Sequence, residues 1–451
     1  MRIQIEKTIG TNSAIQIPLP NQEEAEFRLE FHAISGPDFY EKFPGIKTFK
    51  LTQINGDYVG FGDMTGHGFH AVLRNEDGSV YIDPTDKNRG TATYAVYHVK
   101  DYDRPEEYEI FECGVNDLMD EPEDPGVEIG RSLERGQSMS RSQGSSANVP
   151  LRRYRMAPIA TYGYSNFHGG TLESVAGALT TMLIRVNEIV RREFSVEFEF
   201  IEEMDSLIVL DPNNNELTDG NTQALINEAT PFIIRRGISG SLYDVGHVFC
   251  TNAGGLAQVG AVCAQNGKAR GVSCGFNPVG DNWYVGLVGH ELGHQMGSRH
   301  SFNFCRGQNE SLAFGFEPGS GSTIMSYAGI CGARNVQSNS DPYYNIGSVE
   351  SIIGHMHNGV GDNCPEKIPQ NNPMPNITLP YGDNSDLTIP ISTPFELEAE
   401  AEIPGSEDIL YTWEQRDAGL NNCPPGEPTG NCPTFRSFPP TTDNKRVFPR
   451  I

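Results

Sequence analysis

The sequence predicts an α/β (α+β) domain in the middle of a 451-residue chain, between two regions rich in strands. Three observations predict this order. Short alternating segments fill residues 1–120, and a long helical pattern lies between strand patterns within residues 151–365. Alternating segments then return in residues 366–451, after a proline-rich stretch. A chain of this length is expected to form about two to four domains.

The composition narrows the choice of partners and compartment. A net charge of −26 argues against nucleic acid as a partner, because no basic face is available to meet phosphates. No apolar run approaches the length that a bilayer requires, so no transmembrane segment is expected. The N-terminus, MRIQIEKTIGTNS, has no apolar core of the signal-peptide type.

The cysteines point to an oxidising compartment. Eight of the nine lie between residues 250 and 432, an even set that suits four disulfides. We therefore expect a secreted or cell-surface protein whose export signal lies outside this sequence. The alternative is a cytosolic protein with scattered buried thiols.

The N-terminal region is expected to be a β-rich domain over residues 1–120. FRLEFHAI, TFKLTQI, YVGFGDM and FHAVL alternate like strands and are separated by Gly, Asp and Asn turns. Residues 121–150 follow as a flexible linker, where RSLERGQSMSRSQGSSANVP is rich in Ser and open to proteolytic cleavage. An ordered surface loop is the alternative for this stretch.

The middle region alternates strands with helices. YRMAPIATYGYS is predicted as a buried strand, and residues 171–194 carry apolar side chains at helical spacing. SVEFEFIE, YDVGHVFC and GGLAQVGAV are predicted strands, and Asn221 is suited to cap a helix through TQALINEA. YVGLVGHELGHQM should form a helix that ends near Gly297, and SVESIIGHMH a last helix capped by Ser348.

The C-terminal region, residues 366–451, is predicted to hold a proline-rich linker and a partial immunoglobulin-like β-sandwich. FELEAEAEI and ILYTWEQR alternate like strands, but the strands are too few for a whole domain of that type.

The stretch HELGHQMGSRH, residues 290–300, carries the chemistry. His290 and His294 are four residues apart, so on a helix they share one face and can bind one cation. Glu291 lies beside the first of them, near enough to take a proton from a metal-activated water. Gly297 permits the left-handed turn that would bring His300 back to the same ion. Three neutral imidazoles and one open position predict a catalytic zinc site.

This pattern resembles that of the metzincin zinc peptidases, and residues 151–365 are most similar to their bacterial reprolysin-like (adamalysin-like) group. The resemblance implies a twisted mixed sheet, an active-site helix and a Met-turn, for which STIMSYAG supplies Met325 as the base beneath the histidines. It also implies that GGLAQVG is the edge strand for an extended substrate. Tyr327 resembles a tyrosine that astacins use as a switchable ligand or transition-state donor; a pocket wall is the alternative. Ser301 departs from the adamalysin pattern, which usually has Asp after the third histidine.

The resemblance also implies disulfides, although eight cysteines allow 105 pairings. We expect Cys250–Cys364 and Cys305–Cys331 to brace the domain. Two short loops would be closed by Cys263–Cys274 and Cys423–Cys432.

Pairing eight cysteines leaves Cys113, in FECGVND ahead of the linker. A thiolate binds zinc strongly and can occupy the position of the water. This resembles the cysteine switch of matrixin and adamalysin propeptides, in which a Cys-Gly pair keeps the zymogen latent. The alternative is a buried cysteine on a strand.

Other candidate ligands are weaker. His67 and His70 in GHGFH are suited to a metal, but we expect polar surface histidines, and His168 is expected where a helix starts. Carboxylates within residues 211–221 suit a structural Ca²⁺ ion, although a solvated turn is favoured because their spacing is irregular.

The sequence thus predicts a secreted zinc-dependent endopeptidase made as a latent zymogen. A zinc-activated water would attack the peptide bond of a protein or peptide substrate, with Glu291 as general base and acid. The N-terminal domain would act as the inhibitor of its own enzyme. The alternative functions are an adhesion or matrix-binding protein with a vestigial zinc domain, and an autoinhibited scaffold.

Overall fold

The computed structural model describes residues 14–20, 23–86, 93–101, 113–114, 148–213, 216–305, 314–381, 387–404, 409–418 and 432–449. Most of the predicted linker, residues 121–147, therefore lies outside the described residues. Within the part of the chain that the structure describes, no helix has the length and apolar character needed to cross a bilayer.

The N-terminal region is a seven-stranded antiparallel sheet whose strands pair in sequence order. Its strands are β1 (Ala14–Pro18), β2 (Glu24–Phe31), β3 (Lys47–Gln53), β4 (Val59–Thr65), β5 (Gly68–Asn75), β6 (Gly78–Pro84) and β7 (Tyr94–His98). A short helix, α1 (Pro37–Lys42), lies between β2 and β3. Strands β1, β6 and β7 and helix α1 were not predicted from the sequence. A 3-10 turn, Val99–Asp101, ends the sheet.

The two faces of this sheet have different partners, because successive side chains of a strand point to opposite faces. On β5, Ala71 and Leu73 belong to a core inside the N-terminal region. Val72, between them, belongs to the larger core of the middle region. The N-terminal sheet therefore packs directly on the middle region.

The described residues of the middle region include five strands and six helices that frame the site. The strands are β8 (Leu151–Ala160), β9 (Val196–Phe200), β10 (Val245–Thr251), β11 (Gly255–Ala257) and β12 (Gly271–Gly275). The helices are α2 (Tyr162–Phe167), α3 (Leu172–Phe194), α4 (Thr222–Arg235), α5 (Asp281–Trp283), α6 (His290–Gln295) and α7 (Ile346–Asn358). A π-helix, Tyr284–Gly289, joins α5 to α6. Further 3-10 turns lie at Glu202–Leu207, Gly332–Arg334 and Val360–Asn363.

These strands form a mixed sheet, as the resemblance implies. β8 pairs in parallel with β9 and β10, and β10 pairs in parallel with β12. β11 is the edge strand and runs antiparallel to β12, and β13 (Glu366–Ile368) runs antiparallel to the start of β8. The middle region is therefore a mixed α/β domain.

Helix α3 joins the two sheets. It begins at a capping box, in which Thr171 and Ser174 exchange hydrogen bonds, and ends at Ser195 in the left-handed conformation. Buried Arg185 donates to the Ala71 carbonyl at 2.9 Å and pairs with Asp83 at 2.6 Å, both in the N-terminal sheet. Arg185 also faces Asp281, at 3.5 Å, where the helical segment of the site begins.

Two of the predicted disulfides are wrong. Cys250 bonds to Cys274, because the two lie opposite each other on the paired strands β10 and β12 with Cα atoms 4.3 Å apart. Cys364 bonds instead to Cys263. The predicted Cys305–Cys331 bridge is present. Cys432 is disulfide-bonded, and its predicted partner Cys423 lies outside the described residues.

The C-terminal region has two small two-stranded sheets among its described residues. β14 (Asn376–Thr378) pairs with β16 (Glu400–Glu402), and β15 (Phe395–Glu398) with β17 (Lys445–Phe448). ILYTWEQR is not a strand as predicted; it contributes one bridge, from Tyr411 to Thr441. An immunoglobulin-like sandwich stays a prediction.

Helix caps were predicted with mixed success. Asn221 caps α4 as expected, through a hydrogen bond from the Ala224 amide. Helix α7 begins two residues before Ser348, because the Asn345 side chain accepts from the Gly347 amide. Ser348 is therefore not the cap. YRMAPIATYGYS is a strand only as far as Ala160, after which α2 begins.

Candidate metal centre

Helix α6 holds His290, Glu291 and His294 in the buried interior of the middle region. The two histidines lie one turn apart on one face. The helix ends at Gln295, and Gly297 follows with φ of 109°, a conformation that glycine adopts without a steric penalty. The chain reverses at this glycine and carries His300 back to the other two histidines.

The three imidazoles converge on one point. Their Nε2 atoms are 3.2 Å apart for His290 and His294, 3.1 Å for His294 and His300, and 3.2 Å for His300 and His290. The Nδ1 atoms of His290 and His294 lie 2.8 Å from the carbonyl oxygens of Ile324 and Ser298. A carbonyl can only accept, so these Nδ1 atoms carry the protons and the Nε2 atoms carry lone pairs.

This arrangement fits a zinc ion. Lone pairs that face one another without a proton repel, and a cation between them removes the repulsion. Two Zn–N bonds of about 2.0–2.1 Å span the observed separations. Burial, together with the nearby His300, lowers the pKa of His290 to about 3, so this ring is neutral as a metal ligand must be.

Cys113 lies at the same point. Its sulphur is 3.6 Å from Nε2 of His294, and one ligand atom from each of Cys113, His290, His294 and His300 lies within 4.8 Å of the others. All four residues are buried, and Cys113 keeps its thiol. Three nitrogens and one sulphur form a set of donors that zinc favours.

The backbone around Cys113 pairs with the edge strand of the mixed sheet. Cys113 forms a parallel bridge with Gly255 of β11, and the Gly114 amide donates to the Gly255 carbonyl at 2.8 Å. The free edge of β11, which the sequence predicted as a substrate-binding edge, is thus paired with residues 113–114 of the chain itself.

Glu291 faces the cluster from the first turn of α6 and is fully buried. Burial raises its pKa to about 8, and the neighbouring Cys113 thiol partly opposes that shift. Gly255 leaves the space for this carboxylate, since a Cβ atom at Gly255 would lie 1.9 Å from Oε1 of Glu291. The carboxylate is therefore held between the edge strand and the histidines.

Met325 packs beneath the helix. It is fully buried, and its sulphur lies so close to Gly293 that a Cβ atom there would be 2.3 Å from it. Gly293 lies between His290 and His294 in sequence, so the contact supports the segment that carries both. The Met325 carbonyl accepts from the Ser301 amide at 3.0 Å, which joins this turn to the residue after His300.

Tyr327 covers one side of the cluster and is almost fully buried. Its ring is stacked on Phe302, with centroids 4.3 Å apart, and meets His300 edge-on at 4.9 Å. Its hydroxyl donates to the Cys113 carbonyl at 3.1 Å. The hydroxyl is therefore aimed at the backbone that lies over the histidines.

Glu317 was missed by the sequence analysis. It is buried, and its carboxylate accepts from the hydroxyls of Ser301 and Thr323, at 2.5 and 2.6 Å, and from the Ser322 amide at 2.9 Å. It therefore connects the residue after His300 to the turn that carries Met325. No spacing signals this role, because a single Glu in a loop can point anywhere.

The remaining candidates have other roles in the structure. His67 and His70 are not surface residues as expected; both are buried where the N-terminal sheet meets α3. His67 bonds to the Ser174 carbonyl at 2.8 Å and His70 to Asp63 at 3.1 Å. His168 is buried at the C-terminal end of α2.

The calcium prediction is not supported. Asp219, in the suggested segment, accepts from the Thr161 hydroxyl and the Gly163 amide at 2.9 and 2.7 Å. That carboxylate therefore stabilises the start of α2.

A mixed sheet, a zinc-type histidine cluster at a helix end and a buried Met turn together define a metzincin-type zinc metallopeptidase domain. Residues 151–354 match the model of metallo-peptidase family M12B, reprolysin-like. This part of the chain is therefore reprolysin-like, and the family is one of metallopeptidases, whose substrates are proteins or peptides. No curated protein matches the chain.

Proposed function

We propose that the chain is a secreted zinc endopeptidase made in a latent form, in which Cys113 occupies the fourth position at zinc. The observation that carries this proposal is the position of the Cys113 sulphur within 4.8 Å of the three imidazoles. The three disulfides within the peptidase region are compatible with an extracellular protein.

The backbone contacts of Cys113 are a second observation that supports latency. An extended substrate would add to the free edge of β11, and residues 113–114 already bond there. The Tyr327 hydroxyl is suited to donate to a substrate oxygen, but it already donates to the Cys113 carbonyl. Substrate and the Cys113 segment would therefore exclude each other.

The N-terminal region, residues 1–120, is proposed as the prodomain. It packs on helix α3 through the buried Arg185–Asp83 pair, and breaking such a pair by removing one partner is costly. In this proposal, cleavage within residues 121–150 separates the prodomain from the peptidase domain of residues 151–365. Residues 366–451 form the linker and the partial immunoglobulin-like module.

When bound, zinc supplies a Lewis acid that polarises the scissile carbonyl and acidifies water. His290, His294 and His300 would hold it. Glu291 would take a proton from the attacking water and pass it to the leaving amine, because its buried carboxylate faces the cluster. Tyr327 donates a hydrogen bond to the developing oxyanion once the Cys113 segment has left.

An adhesion protein with a vestigial metal domain has no observation in its favour, since every residue that the proposed chemistry needs is present in the cluster.

The test uses the full-length protein and an unstructured protein as substrate, with and without a chelator. We expect the parent to be inactive and Cys113→Ala to be active without cleavage, and the chelator should abolish that activity. A Cys113→Ala/Glu291→Ala double variant should keep one zinc and lose hydrolysis, by about 10²–10⁴-fold. A zinc-loaded Cys113→Ala protein that stays latent would refute the role of Cys113. Hydrolysis that survives loss of Glu291 would refute the mechanism.

A further inference from the structure

A pocket opens beside the metal cluster, between the helical segment that carries it and a loop from farther along the chain. His290 and Leu287 line it on one side, and Tyr327 and Ile330 on another. Asn339 and Ser340 close it. These two residues belong to what we call the wall segment, residues 335–343. Because the pocket adjoins His290 and Tyr327, a side chain next to the scissile bond would enter it.

The wall segment has little regular structure of its own, so other contacts must hold it. The Gln337 side chain donates to the carbonyls of Asn339 and Ser322, at 2.6 and 3.3 Å. The Asp341 amide donates to the Ser322 carbonyl at 2.8 Å. Gln337 therefore joins the wall segment to the residue that lies three positions before Met325.

The C-terminal region completes this connection from outside the matched family region. The Arg436 guanidinium donates to the side-chain carbonyl of Gln337, whose amide group holds the wall. The next residue, Ser437, is buried; its carbonyl accepts from the Ser322 hydroxyl at 3.4 Å, and its hydroxyl accepts from Asn345 at 3.1 Å. Arg436 thus contacts the wall segment at Gln337, and Ser437 contacts two residues outside it, Ser322, which the wall segment also contacts, and Asn345, just after its end.

Further contacts fix the same part of the chain on the peptidase domain. Glu414 accepts from the Ile346 amide at 2.5 Å, and Arg416 pairs with Glu350 at 2.5 Å. The Arg416 guanidinium also lies over the ring of Phe316, 4.4 Å from its centroid. The C-terminal region is therefore anchored beside the wall segment rather than tethered at a distance.

We infer that Arg436 and Ser437 position the wall segment and so determine which substrate side chain the pocket beside the metal accepts. This inference rests on the proposed peptidase function. The pocket has no Asp, Glu, Lys or Arg among the described residues that line it. With the wall segment held in place, the pocket should therefore favour an uncharged side chain of the substrate, because a charged one would be buried without a partner. If the wall segment moved away, water would enter the pocket and the preference for an uncharged side chain would weaken.

The test compares kcat/KM for two peptides that differ in one residue beside the scissile bond, Leu or Arg, after limited proteolysis of the full-length protein. We expect Arg436→Ala and Gln337→Ala each to lower the Leu-to-Arg ratio on the order of tenfold. The double variant should lower it no further than Gln337→Ala alone, because Arg436 contacts the wall segment through the Gln337 side chain. Arg436→Lys should restore part of the ratio. The control is Lys445→Ala, since Lys445 pairs with Glu398 inside the C-terminal region itself.

Hydrogen exchange of the intact, latent protein gives a readout that needs no activity. Arg436→Ala should speed exchange within residues 335–343 and leave residues 290–296 and the zinc content unchanged. An active parent whose Arg436→Ala variant keeps the ratio and the exchange of the wall segment would overturn the inference alone. A parent that hydrolyses neither peptide, before or after proteolysis, would overturn the proposed function and the inference with it.

Discussion

The molecule contains two buried groups of histidines that differ in the directions of their rings. The first group directs its Nε2 atoms to one point and consists of His290, His294 and His300. The rings of the second group do not converge; this group consists of His67, His70 and His168. In the second group, His67 bonds to the Ser174 carbonyl and His70 to Asp63, and the His168 ring lies beside that of His67, with centroids 5.7 Å apart. Its nitrogens do not gather into a metal-binding set among the described residues.

The comparison shows that burial and proximity of histidines alone do not make a metal site. The first group comes from one helical turn and the reversal at Gly297, which fix the directions of the rings. The second group comes from a strand turn, a strand and a helix end, and it lies where the N-terminal sheet packs on helix α3.

The largest difference should be in zinc affinity. Removing one ligand leaves two imidazoles and the Cys113 sulphur, so His294→Ala should weaken zinc binding by more than about a hundredfold. His70→Ala should leave zinc affinity unchanged, because His70 bonds to Asp63. Competition with a chromogenic chelator measures both variants. Equal losses of affinity would show that the two histidine groups do not differ as we describe.

Much of the first group could be predicted, because helical spacing fixes where His290, Glu291 and His294 lie relative to one another. The partner of Cys250 could not, because it depends on how β10 and β12 align, and a register is not readable from either strand alone. Glu317 was also out of reach, since its role depends on three loops meeting. The resemblance to reprolysin-like peptidases is confirmed by the family match.

A smaller effect is expected from packing beneath the first group. Gly293→Ala should lower the free energy of unfolding by about 1–3 kcal/mol, because the new methyl group would meet the sulphur of Met325. The matched control is Gly354→Ala in α7, where nothing lies within 4 Å of the added Cβ. That change should raise stability by about 0.5–1 kcal/mol. Denaturant unfolding gives both values, and a neutral Gly293→Ala would refute tight packing there.

The last comparison concerns the second group and the dependence of stability on pH. Burial lowers the pKa of His168 to about 3 and lowers that of His67, whereas an exposed histidine titrates near about 6.5. As the pH falls below about 6.5, the unfolded chain therefore binds protons at these two histidines, whereas the folded chain does not. The contribution of these neutral histidines to the free energy of unfolding is fully present above about pH 6.5. It is lost as the pH falls towards 3, by up to about 1.4 kcal/mol per pH unit for one histidine.

His168→Gln should therefore reduce the loss of thermal stability between pH 7 and pH 4, and His98→Gln on β7 serves as the control. His290 titrates equally in all three proteins, so its share cancels in the comparison. A parent and a His168→Gln variant with parallel stability profiles would contradict the assignment.

X-ray absorption at the zinc edge of the intact, full-length protein tests the proposed latent metal centre most directly. We predict three nitrogen neighbours and one sulphur at about 2.3 Å, with the sulphur absent from Cys113→Ala. A zinc-loaded parent with only nitrogen and oxygen neighbours would contradict the account.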